Sequence, residues 1–477
     1  MSAMLAPLLP ARLPLSPALL RQFDTPGPRY TSYPTADRFH EAFGPGQALQ
    51  ALQQRGLGIA GHGHAPLSVY VHIPFCESVC YYCACNKVIT RHHERAAEYL
   101  AALDREIALV QAALGGDANG GRLPVSQLHF GGGSPTFLSD AEIGHVMASL
   151  RGTFRVLDDA EVSIEVDPRT VTPERLAALR GLGCNRLSFG VQDFDRSVQE
   201  AVHRLQPFEQ VRELMTAARA LGYASINADL IYGLPRQTPA SFARTIAQIG
   251  ELRPDRIALY AYAHLPQRFK PQRRIDPLAL PSAAQRVAML GNAIDGLLAR
   301  GYDYIGMDHF ALADDSLAVA KRQGRLHRNF QGYSTQPDCD LIGLGVSAIG
   351  RIGATYSQNA KTLPEYYDAL RQGQLPVVRG IALERDDIMR RAVIMALMCQ
   401  GRVDFESFGL AYLVDVRRYF EDEIARLAPL ADAGLVEVEA DAIQVTPTGW
   451  YLVRAIAAVF DRYLQHDARR ERYSRVI

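Results

Sequence analysis

The chain has 477 residues, 48% of them hydrophobic and 21% charged, an ordinary composition for a globular protein of two or three domains. Lys and Arg together number 51, as do Asp and Glu, which excludes a strong net attraction to nucleic acid or to an anionic membrane. No apolar run approaches the ~20 residues that a membrane-spanning helix needs. Seven cysteines and nothing resembling a secretory signal predict a cytoplasmic enzyme with reduced thiols.

The N-terminal part of the chain contains no obvious regular element. Residues 1–21 are apolar, but prolines interrupt them and no basic run precedes them. The following segment, PGPRYTSYP over residues 26–34, is too rich in proline for a helix or strand. Its two tyrosines and its arginine would be unfavourable in a disordered tail. We therefore expect a strap that either packs on the surface or covers an active site.

Four closely spaced cysteines form the most informative motif of the chain. Cys76, Cys80 and Cys83 have the spacing C-x3-C-x2-C, and Cys85 follows two residues later. Three thiolates can hold three corners of a four-iron cluster and leave the fourth iron open to a small molecule. A structural zinc site needs four ligands, usually as two separated pairs, and the chain has no second pair. The spacing therefore favours a catalytic iron–sulfur cluster.

From residue 68 to about 263, strand-like runs alternate with amphipathic helical stretches. The predicted strands are Ser68–Ile73, Ser126–Phe130, Glu161–Val166, Asn185–Gly190, Ile226–Ile231 and Arg256–Ala261, and the predicted helices include Ala96–Ala113, Pro173–Leu182, Phe208–Leu221 and Pro239–Leu252. Consecutive βα units form a parallel sheet with right-handed crossovers. Six strands are fewer than the eight of a closed barrel, so we predict a partial (βα)6 barrel of the TIM type. A doubly wound sheet remains the alternative.

Polar and glycine-rich motifs fall at the ends of these strands. Cys76 follows the first strand, Gly131–Gly133 ends the second, Glu165 ends the third and Gln192 ends the fourth, while Asp229 lies within the fifth. In parallel barrels the carboxyl ends of the strands form the active-site face. The motifs therefore predict one shared site.

Taken singly, each of these residues also has a purely structural interpretation. Consecutive glycines usually mark a turn, and Asp229 could be a hydrogen-bonded polar group in the core. Glu165 could form a surface ion pair with Arg169, worth about 0–1 kcal/mol. Arg204 could lie on a solvated face. The sequence alone leaves these alternatives open.

The second half of the chain is less regular and then changes character. Residues 264–380 contain short motifs and a run of small residues at 343–348. Further on we predict helices at Asp386–Met398 and within Leu413–Leu430, a hairpin over Leu435–Val445 and a final helix at Gly449–Leu464. This pattern resembles a winged-helix module, but interleaved acidic residues argue against DNA binding. We divide the chain into an N-terminal extension and strap (1–55), a catalytic domain (56–380) and a C-terminal helical domain (381–477).

The motifs resemble those of the radical S-adenosylmethionine (SAM) superfamily and, within it, the oxygen-independent coproporphyrinogen III oxidases (coproporphyrinogen dehydrogenases) of haem biosynthesis. The resemblance rests on the cysteine string and on GGGSP, EVDP, LSFGVQDF, NADLIYGLP, MDHFA and LHRNFQGY, and it runs from about residue 30 to the C-terminus. It implies a partial (βα)6 barrel with a strap and a winged-helix-like C-terminal domain.

The resemblance also implies a set of cofactor-binding residues. Cys76, Cys80 and Cys83 would ligate a [4Fe–4S] cluster, with Cys85 beside it as a non-ligand. Two SAM molecules would bind. Tyr70, Gly132 and Glu165 match positions around the molecule on the cluster. The positions around the pair, mostly the second molecule, are matched by Tyr82, Gly133, Ser134, Gln192, Arg204, Asp229, Ala263 and Ile349.

The reaction implied is the conversion of two propionates of coproporphyrinogen III to vinyl groups, giving protoporphyrinogen IX. A 5′-deoxyadenosyl radical from reductive SAM cleavage would remove a β-hydrogen, and the substrate radical would lose carbon dioxide and an electron. The implied partners are this substrate, a flavodoxin- or ferredoxin-like electron donor and an electron acceptor, with a monomeric protein. Because the tetrapyrrole carries several carboxylates, we expect arginines in its pocket, with Arg29, Arg325 and Arg328 as candidates.

Two other functions are compatible with parts of this pattern. Haem chaperones share the fold and the three cluster cysteines but deliver haem. They commonly have an aromatic residue where this chain has Cys85, and they tend to lack the NFQGY and PRYTSYP motifs present here. A radical SAM enzyme with a different substrate is the third possibility, against which the string Arg328–Tyr333 argues by analogy.

Overall fold

The computed structural model describes residues 25–59, 65–116, 121–336 and 339–465, together with positions 19, 22, 23 and 63. Apart from position 19, the apolar stretch 1–21 lies outside the described residues, as does the end of the C-terminal domain beyond residue 465. Among the described helices, none has the length and apolar character needed to cross a membrane.

Parallel strands form the centre of the described structure. They are β1 (Leu67–Ile73), β2 (Pro124–Gly132), β3 (Arg155–Val166), β4 (Arg186–Gln192), β5 (Ser225–Tyr232) and β6 (Arg256–Ala261). Each strand pairs in parallel with the next one in the sequence. A doubly wound sheet would instead reverse its strand order part-way along. The predicted partial (βα)6 barrel is therefore confirmed.

Helices connect these strands and cover the outside of the sheet. They are Arg95–Leu114, Asp140–Thr153, Pro173–Gly181, Phe208–Ala220, Pro239–Leu252 and, after β6, Ala283–Leu298. Four of these six helices have a side-chain N-cap, as where the hydroxyl of Thr238 accepts the Ser241 N–H at 3.0 Å. On Phe208–Ala220 the buried residues recur at helical spacing, at Val211, Leu214, Met215 and Ala218.

The sheet continues beyond the barrel strands on both sides. At the β6 edge, His309–Leu312 and Tyr302–Gly306 add antiparallel strands. At the β1 edge, Leu341–Leu344 adds a parallel strand. Three antiparallel strands follow, at Ile349–Ile352, Thr355–Asn359 and Val377–Ala382. The irregularity expected for residues 264–380 is therefore wrong in part. These strands are only four to six residues long, too short for a clear alternating pattern.

The C-terminal region is helical with a small antiparallel sheet, as predicted. Helix Arg385–Gln400 leads into Arg402–Asp404, which pairs with Ala442–Val445, and Val436–Val438 completes the sheet. The helices between them are Phe405–Tyr412, Val416–Tyr419, Glu421–Arg426 and Ala428–Asp432.

The predicted final helix is broken into three pieces. These are the 3-10 turn Gly449–Leu452, the helix Val453–Ala458 and the helix Arg462–Gln465. The carboxylate of Asp461 accepts the N–H groups of Tyr463 and Leu464 at 3.0 Å each, so Asp461 is the N-cap of the last helix.

The remaining elements lie outside these groups. The helices and 3-10 turns are Ala36–Arg38, Pro45–Gly56, Pro135–Phe137, Arg196–Ala201, Lys270–Arg274, Pro277–Ala279, Ser316–Arg322 and Leu363–Arg371, and the strands are Phe75–Cys76, Val88–Ile89, His327–Asn329 and Gly332–Ser334.

The segment 26–34 packs tightly against the C-terminal helices. Tyr30 and Tyr33 are 1% and 0% exposed. The Tyr30 hydroxyl donates to the carboxylate of Asp461 at 3.0 Å, and Arg454 Nε donates to the Pro28 carbonyl at 3.1 Å. The aromatic residues of the strap are therefore buried anchors, which agrees with their being unfavourable in a disordered tail.

One ion pair inside the barrel gives a prediction about stability. Glu161 on β3 contacts the guanidinium of Arg186 on β4 and accepts a hydrogen bond from Gln127 at 3.1 Å. Burial raises the pKa of Glu161, but Arg186 and Arg256 outweigh burial and lower it to about 2 from its usual 4.5. A depressed pKa stabilises the fold above the unfolded value, and this stabilisation is lost as the pH falls through the folded value.

We therefore expect Glu161→Gln to lower the free energy of unfolding at pH 7 by about 2–3 kcal/mol. The loss should shrink as the pH falls from about 5 toward 2. Urea unfolding at a series of pH values measures this. The control is Asp158→Asn, an exposed carboxylate on the same strand. A loss for Glu161→Gln that does not change with pH would contradict the assigned ionisation.

Candidate active site

A cavity of about 560 Å³ opens at the carboxyl ends of the barrel strands. It brings together most of the residues predicted from the sequence. Those that line it are Cys76, Cys80, Tyr82, Cys83, Cys85, Gly132, Gly133, Ser134, Glu165, Gln192, Arg204 and Asp229. These residues come from positions up to 153 apart in the sequence and meet because parallel strands end at one face.

A second cavity of about 460 Å³ adjoins the first inside the barrel. Tyr70 and Ile349 line it, and Glu165 and Asp229 line both cavities. Ala263 is not among the lining residues of either cavity and is connected to the first one through Gln272. Its carbonyl accepts from Gln272 at 3.2 Å, and Gln272 also donates to the carbonyl of Tyr82 at 3.0 Å.

The two ends of the cysteine loop, residues 75–89, lie side by side at the end of β1. After β1, Phe75–Cys76 pairs with Val88–Ile89, so the intervening residues return to the end of β1. Burial raises the pKa of Cys76 to about 12. At Cys83, the hydrogen bond with Cys85 opposes burial and, with the charge of Lys87, lowers the pKa to about 5. These contacts favour the thiolate, which is the form that binds metal.

Two arginines surround the sulfur of Cys80. Nη2 of Arg169 and Nη1 of Arg204 each lie 3.5 Å from Cys80 Sγ. Arg204 also pairs with Asp167 at 3.1 Å and donates to the Gly190 carbonyl at 2.5 Å. Its side chain is 7% exposed, so the interpretation that Arg204 lies on a solvated face is wrong. Two cationic groups therefore lie within hydrogen-bonding distance of the Cys80 sulfur.

The donor set fits an iron–sulfur cluster. Three thiols from one loop face the same cavity, and cationic side chains lie beside them to balance thiolate charge. Within the described part of the chain, no three His, Cys, Asp or Glu side chains are grouped closely enough to share a single ion. A four-iron cluster takes each thiolate on a different iron, so its ligands stand farther apart than those of one ion.

The glycines after β2 are required by packing as well as by the cavity. Gly132 has φ +118°, and a Cβ there would lie 2.8 Å from the ring of His72. A Cβ on Gly133 would lie 2.7 Å from the carbonyl oxygens of Pro74 and Phe75. The strand end and the cysteine loop approach each other this closely only without side chains. Packing against the cysteine loop therefore requires these glycines, and their binding of a ligand stays a prediction.

Glu165 presents an ionised carboxylate to both cavities. Its Oε2 accepts the Gly132 N–H at 3.1 Å, and His129 Nε2 lies 3.5 Å from Oε1. Burial raises the pKa of Glu165, but the contacts with His129 and Gly132 outweigh burial and lower it. The pairing with Arg169 considered from the sequence is wrong, because Arg169 pairs with Asp167 at 2.6 Å. The Glu165 side chain is 43% exposed, so the carboxylate can bind a ligand.

Asp229 is both hydrogen-bonded in the barrel and part of the cavity wall. Its carboxylate accepts from Ser188 at 3.0 Å and from Asn227 at 2.9 Å. Burial and the charge of Glu165 raise the pKa of Asp229 to about 6. Asp229 therefore fulfils the core interpretation and also faces the ligand space.

The arginines proposed for the substrate differ in their surroundings. Arg29 of the strap contacts Asp308 and lies over the ring of Tyr260, 5.1 Å from its centroid. Burial and neighbouring arginines lower the pKa of Arg29 to about 9. Arg328 is 5% exposed and donates to the Arg29 carbonyl at 3.2 Å. Arg325 is exposed and bonds only locally to Gln323, so its assignment to the pocket is wrong.

Sequence reasoning missed several cavity residues. Tyr260 lines both cavities, His309 lines the second, and Asp167 and Lys87 line the first beside the thiols. Asp167 lies in the EVDP motif directly after β3, where its position at a strand end was an available signal. His309 had no such signal, because it reaches the cavity from an antiparallel strand paired with β6.

Comparison with known proteins assigns the class. The sequence profile described as the Radical SAM superfamily matches residues 70–249, and the profile described as the HemN C-terminal domain matches residues 383–452. The partial barrel with its cysteine loop and these matches define a radical SAM oxidoreductase.

The relatives identify the family within that class. Oxygen-independent coproporphyrinogen III oxidase from Pseudomonas aeruginosa is 51% identical over 96% of this chain and 98% of its own length. The enzyme of that name from Escherichia coli is 48% identical over 96% and 98%. A solved E. coli structure, described as coproporphyrinogen III oxidase (HemN), a Radical SAM enzyme, aligns with a TM-score of 0.89 and 47% identity over 95% of this chain and 100% of that one. The chain belongs to the oxygen-independent coproporphyrinogen III oxidases, as predicted from its motifs.

Proposed function

We propose that this protein decarboxylates two propionate side chains of coproporphyrinogen III to vinyl groups and so forms protoporphyrinogen IX. It would act in the cytoplasm as a monomer, with a separate protein as electron donor and an external electron acceptor. The observation that carries the proposal is the pair of adjoining cavities, one lined by the cysteine loop and the other extending into the barrel. Family membership supports the same reaction.

The cofactors would occupy this joined space. Cys76, Cys80 and Cys83 would hold a [4Fe–4S] cluster, and two SAM molecules would bind beside it. When bound, the cluster and SAM supply the radical that removes a β-hydrogen from a propionate. The combined cavity volumes of about 560 and 460 Å³ support more than one small-molecule ligand.

The chain's own groups would position these ligands by charge and shape. The Glu165 carboxylate suits the ammonium group or a ribose hydroxyl of the first SAM, together with Tyr70 and Gly132. The second SAM would be held mainly by the remaining predicted residues, which are Tyr82, Gly133, Ser134, Gln192, Arg204, Asp229, Ala263 and Ile349. The guanidinium of Arg204, held by Asp167, would place positive charge beside the sulfur of Cys80.

The strap would contribute to substrate binding. The guanidinium of Arg29 lies over Tyr260, which lines both cavities, and Arg328 donates to the Arg29 carbonyl. Guanidinium groups bind carboxylates well, and the tetrapyrrole carries several. A propionate would compete with Asp308 for Arg29. We retain the division into residues 1–55 as extension and strap, 56–380 as catalytic domain and 381–477 as C-terminal domain.

An anaerobic turnover assay tests this function. The iron–sulfur-reconstituted protein is incubated with SAM, a strong chemical reductant and coproporphyrinogen III. We expect protoporphyrinogen IX, with 5′-deoxyadenosine and methionine, and no products when SAM is omitted. Deoxyadenosine without porphyrin turnover would contradict the substrate assignment. Stoichiometric haem binding with neither product would favour the haem-chaperone alternative.

A further inference from the structure

A strongly basic, exposed segment lies outside the site described above. Arg268, Lys270, Arg273 and Arg274 fall within seven residues and are all exposed. None of the four forms an ion pair with any residue that the structure describes. We call this set the basic ridge. Its excess of positive charge is local, because the whole chain has equal numbers of basic and acidic residues.

The basic ridge is attached directly to the cysteine loop. Gln272, in the middle of the ridge, is 1% exposed and donates to the carbonyl of Tyr82, which stands between Cys80 and Cys83. The guanidinium of Arg274 lies over the ring of Tyr81, 5.3 Å from its centroid. The ridge is therefore the outer surface immediately next to the residues that would hold the cluster.

An exposed apolar side chain accompanies these charges. Leu278, four residues after Arg274, is 94% exposed, more than any other large hydrophobic residue described. It lies on the turn Pro277–Ala279, which is fixed by a hydrogen bond from Arg236 N to the Ala279 carbonyl at 2.7 Å. An apolar residue beside a charged rim is typical of protein–protein interfaces.

We propose that the basic ridge and Leu278 form the docking surface for an acidic one-electron carrier protein that reduces the cluster. This inference rests on the proposed function, which requires one electron for each SAM that is cleaved. In the step concerned, one electron leaves the reduced carrier and enters the cluster, and no bond is made or broken. Docking at the ridge places the carrier against the cysteine loop, which keeps the electron-transfer distance short.

Charge complementarity selects the partner. Four basic side chains that have no ion pair among the described residues attract an acidic protein and accelerate its association at low ionic strength. The patch is small and the net charge of the chain is zero, which makes a nucleic acid a poor match. The anionic substrate is the other ligand that these charges could attract. Burial, Arg379 and Arg268 lower the pKa of Lys361, so Arg268 lies near Lys361. The carbonyl of Lys361 accepts from Asn86, which lines the second cavity.

The test compares two reductants on the full-length, cluster-loaded protein. Lys270→Glu/Arg273→Glu reverses two ridge charges and leaves Arg274, which stacks on Tyr81, in place. With reduced flavodoxin as the probe, we expect the double variant to lower the second-order rate of turnover by about tenfold or more. With a small chemical reductant, turnover should be unchanged. The affinity of oxidised flavodoxin, measured by calorimetry, should fall in parallel. At about 0.3 M salt the wild-type affinity should fall toward that of the double variant, because salt screens the attraction that the variant has lost.

Matched variants separate docking from general effects. Arg105→Glu/Arg418→Glu changes the net charge equally at two exposed positions on other elements and should leave the flavodoxin rate unchanged. Leu278→Ser should weaken flavodoxin binding without changing the salt dependence. Equal losses with both reductants, or a raised KM for coproporphyrinogen III, would overturn the proposal in favour of substrate binding. If the wild type shows no turnover with the chemical reductant, the proposed function fails. If the wild type turns over with the chemical reductant but does not bind flavodoxin, only the docking proposal is overturned.

Discussion

We expect Cys83→Ala to lose the cluster and with it all measurable turnover, whereas Cys85→Ala should keep the cluster. Cys83 has a pKa of about 5 because Cys85 donates a hydrogen bond to it and Lys87 lies nearby. This lowered pKa favours the thiolate, which is the form that a cluster ligand requires. Without it one iron has no protein ligand, and turnover should fall by about a thousandfold or more, which corresponds to ~4 kcal/mol of barrier.

Cys85 is the matched control because it belongs to the same loop and differs in role. It is exposed and two residues beyond the three-cysteine spacing. In Cys85→Ala we expect full iron and sulfide content and an activity loss of about tenfold or less. Iron analysis and electron paramagnetic resonance of the reduced protein measure the cluster independently of turnover. If both variants lost iron equally, the assignment of Cys85 as a non-ligand would be wrong.

The barrel was predictable because its signals are local. Each barrel strand is an apolar run followed by a turn motif, and each predicted strand overlaps the observed one, with β6 at Arg256–Ala261 identical in its bounds. The positions of Cys76 and Glu165 at strand ends then follow from topology alone, since parallel strands end at one face. Topology therefore predicts that the strand-end motifs share one site, whereas the full set of cofactor-binding residues came from the family resemblance.

Ion-pair partners and burial could not be predicted in the same way, because they depend on distant chain segments. Arg169 was paired with Glu165 by sequence proximity, but the carboxylate of Asp167 is nearer, and Glu165 faces away toward His129. Arg204 carries no local sign of burial. It becomes buried because Asp167, on another strand end, neutralises it. Tertiary packing therefore determines which residues form ion pairs and which become buried.

Arg325 and Arg328, three positions apart in the sequence, also differ in burial in a way that the sequence does not predict. Both were candidates for binding substrate carboxylates on charge alone. Arg328 lies in the strand His327–Asn329, which pairs with Gly332–Ser334 and turns its side chain toward Tyr333, 4.7 Å from the ring centroid. Arg325 precedes this strand and remains exposed. A two-strand ribbon this short gives no clear pattern in the sequence.

The last prediction compares two carboxylates on the same face of β3, four residues apart. Glu161 is 17% exposed and neutralised by Arg186, whereas Glu165 is 43% exposed and held by hydrogen bonds at the edge of both cavities. Although both line the second cavity, Glu161 is engaged in an ion pair, whereas the carboxylate of Glu165 is more exposed and available to a ligand. We therefore predict a role in stability for Glu161 and a role in SAM binding for Glu165. Glutamine at either position keeps the size of the side chain and removes its charge.

We expect Glu165→Gln to weaken SAM binding by about ten- to a hundredfold, because a charge-assisted contact is worth roughly 1.5–3 kcal/mol. The amide can still accept the Gly132 N–H, so the free energy of unfolding should change by less than about 1 kcal/mol. Glu161→Gln should show the opposite pattern, with a loss of stability and near-normal SAM affinity. Equilibrium binding of SAM to the reconstituted protein and urea unfolding measure the two effects. Equal changes in both variants would refute this separation, because the strand would then respond to any loss of negative charge in the barrel.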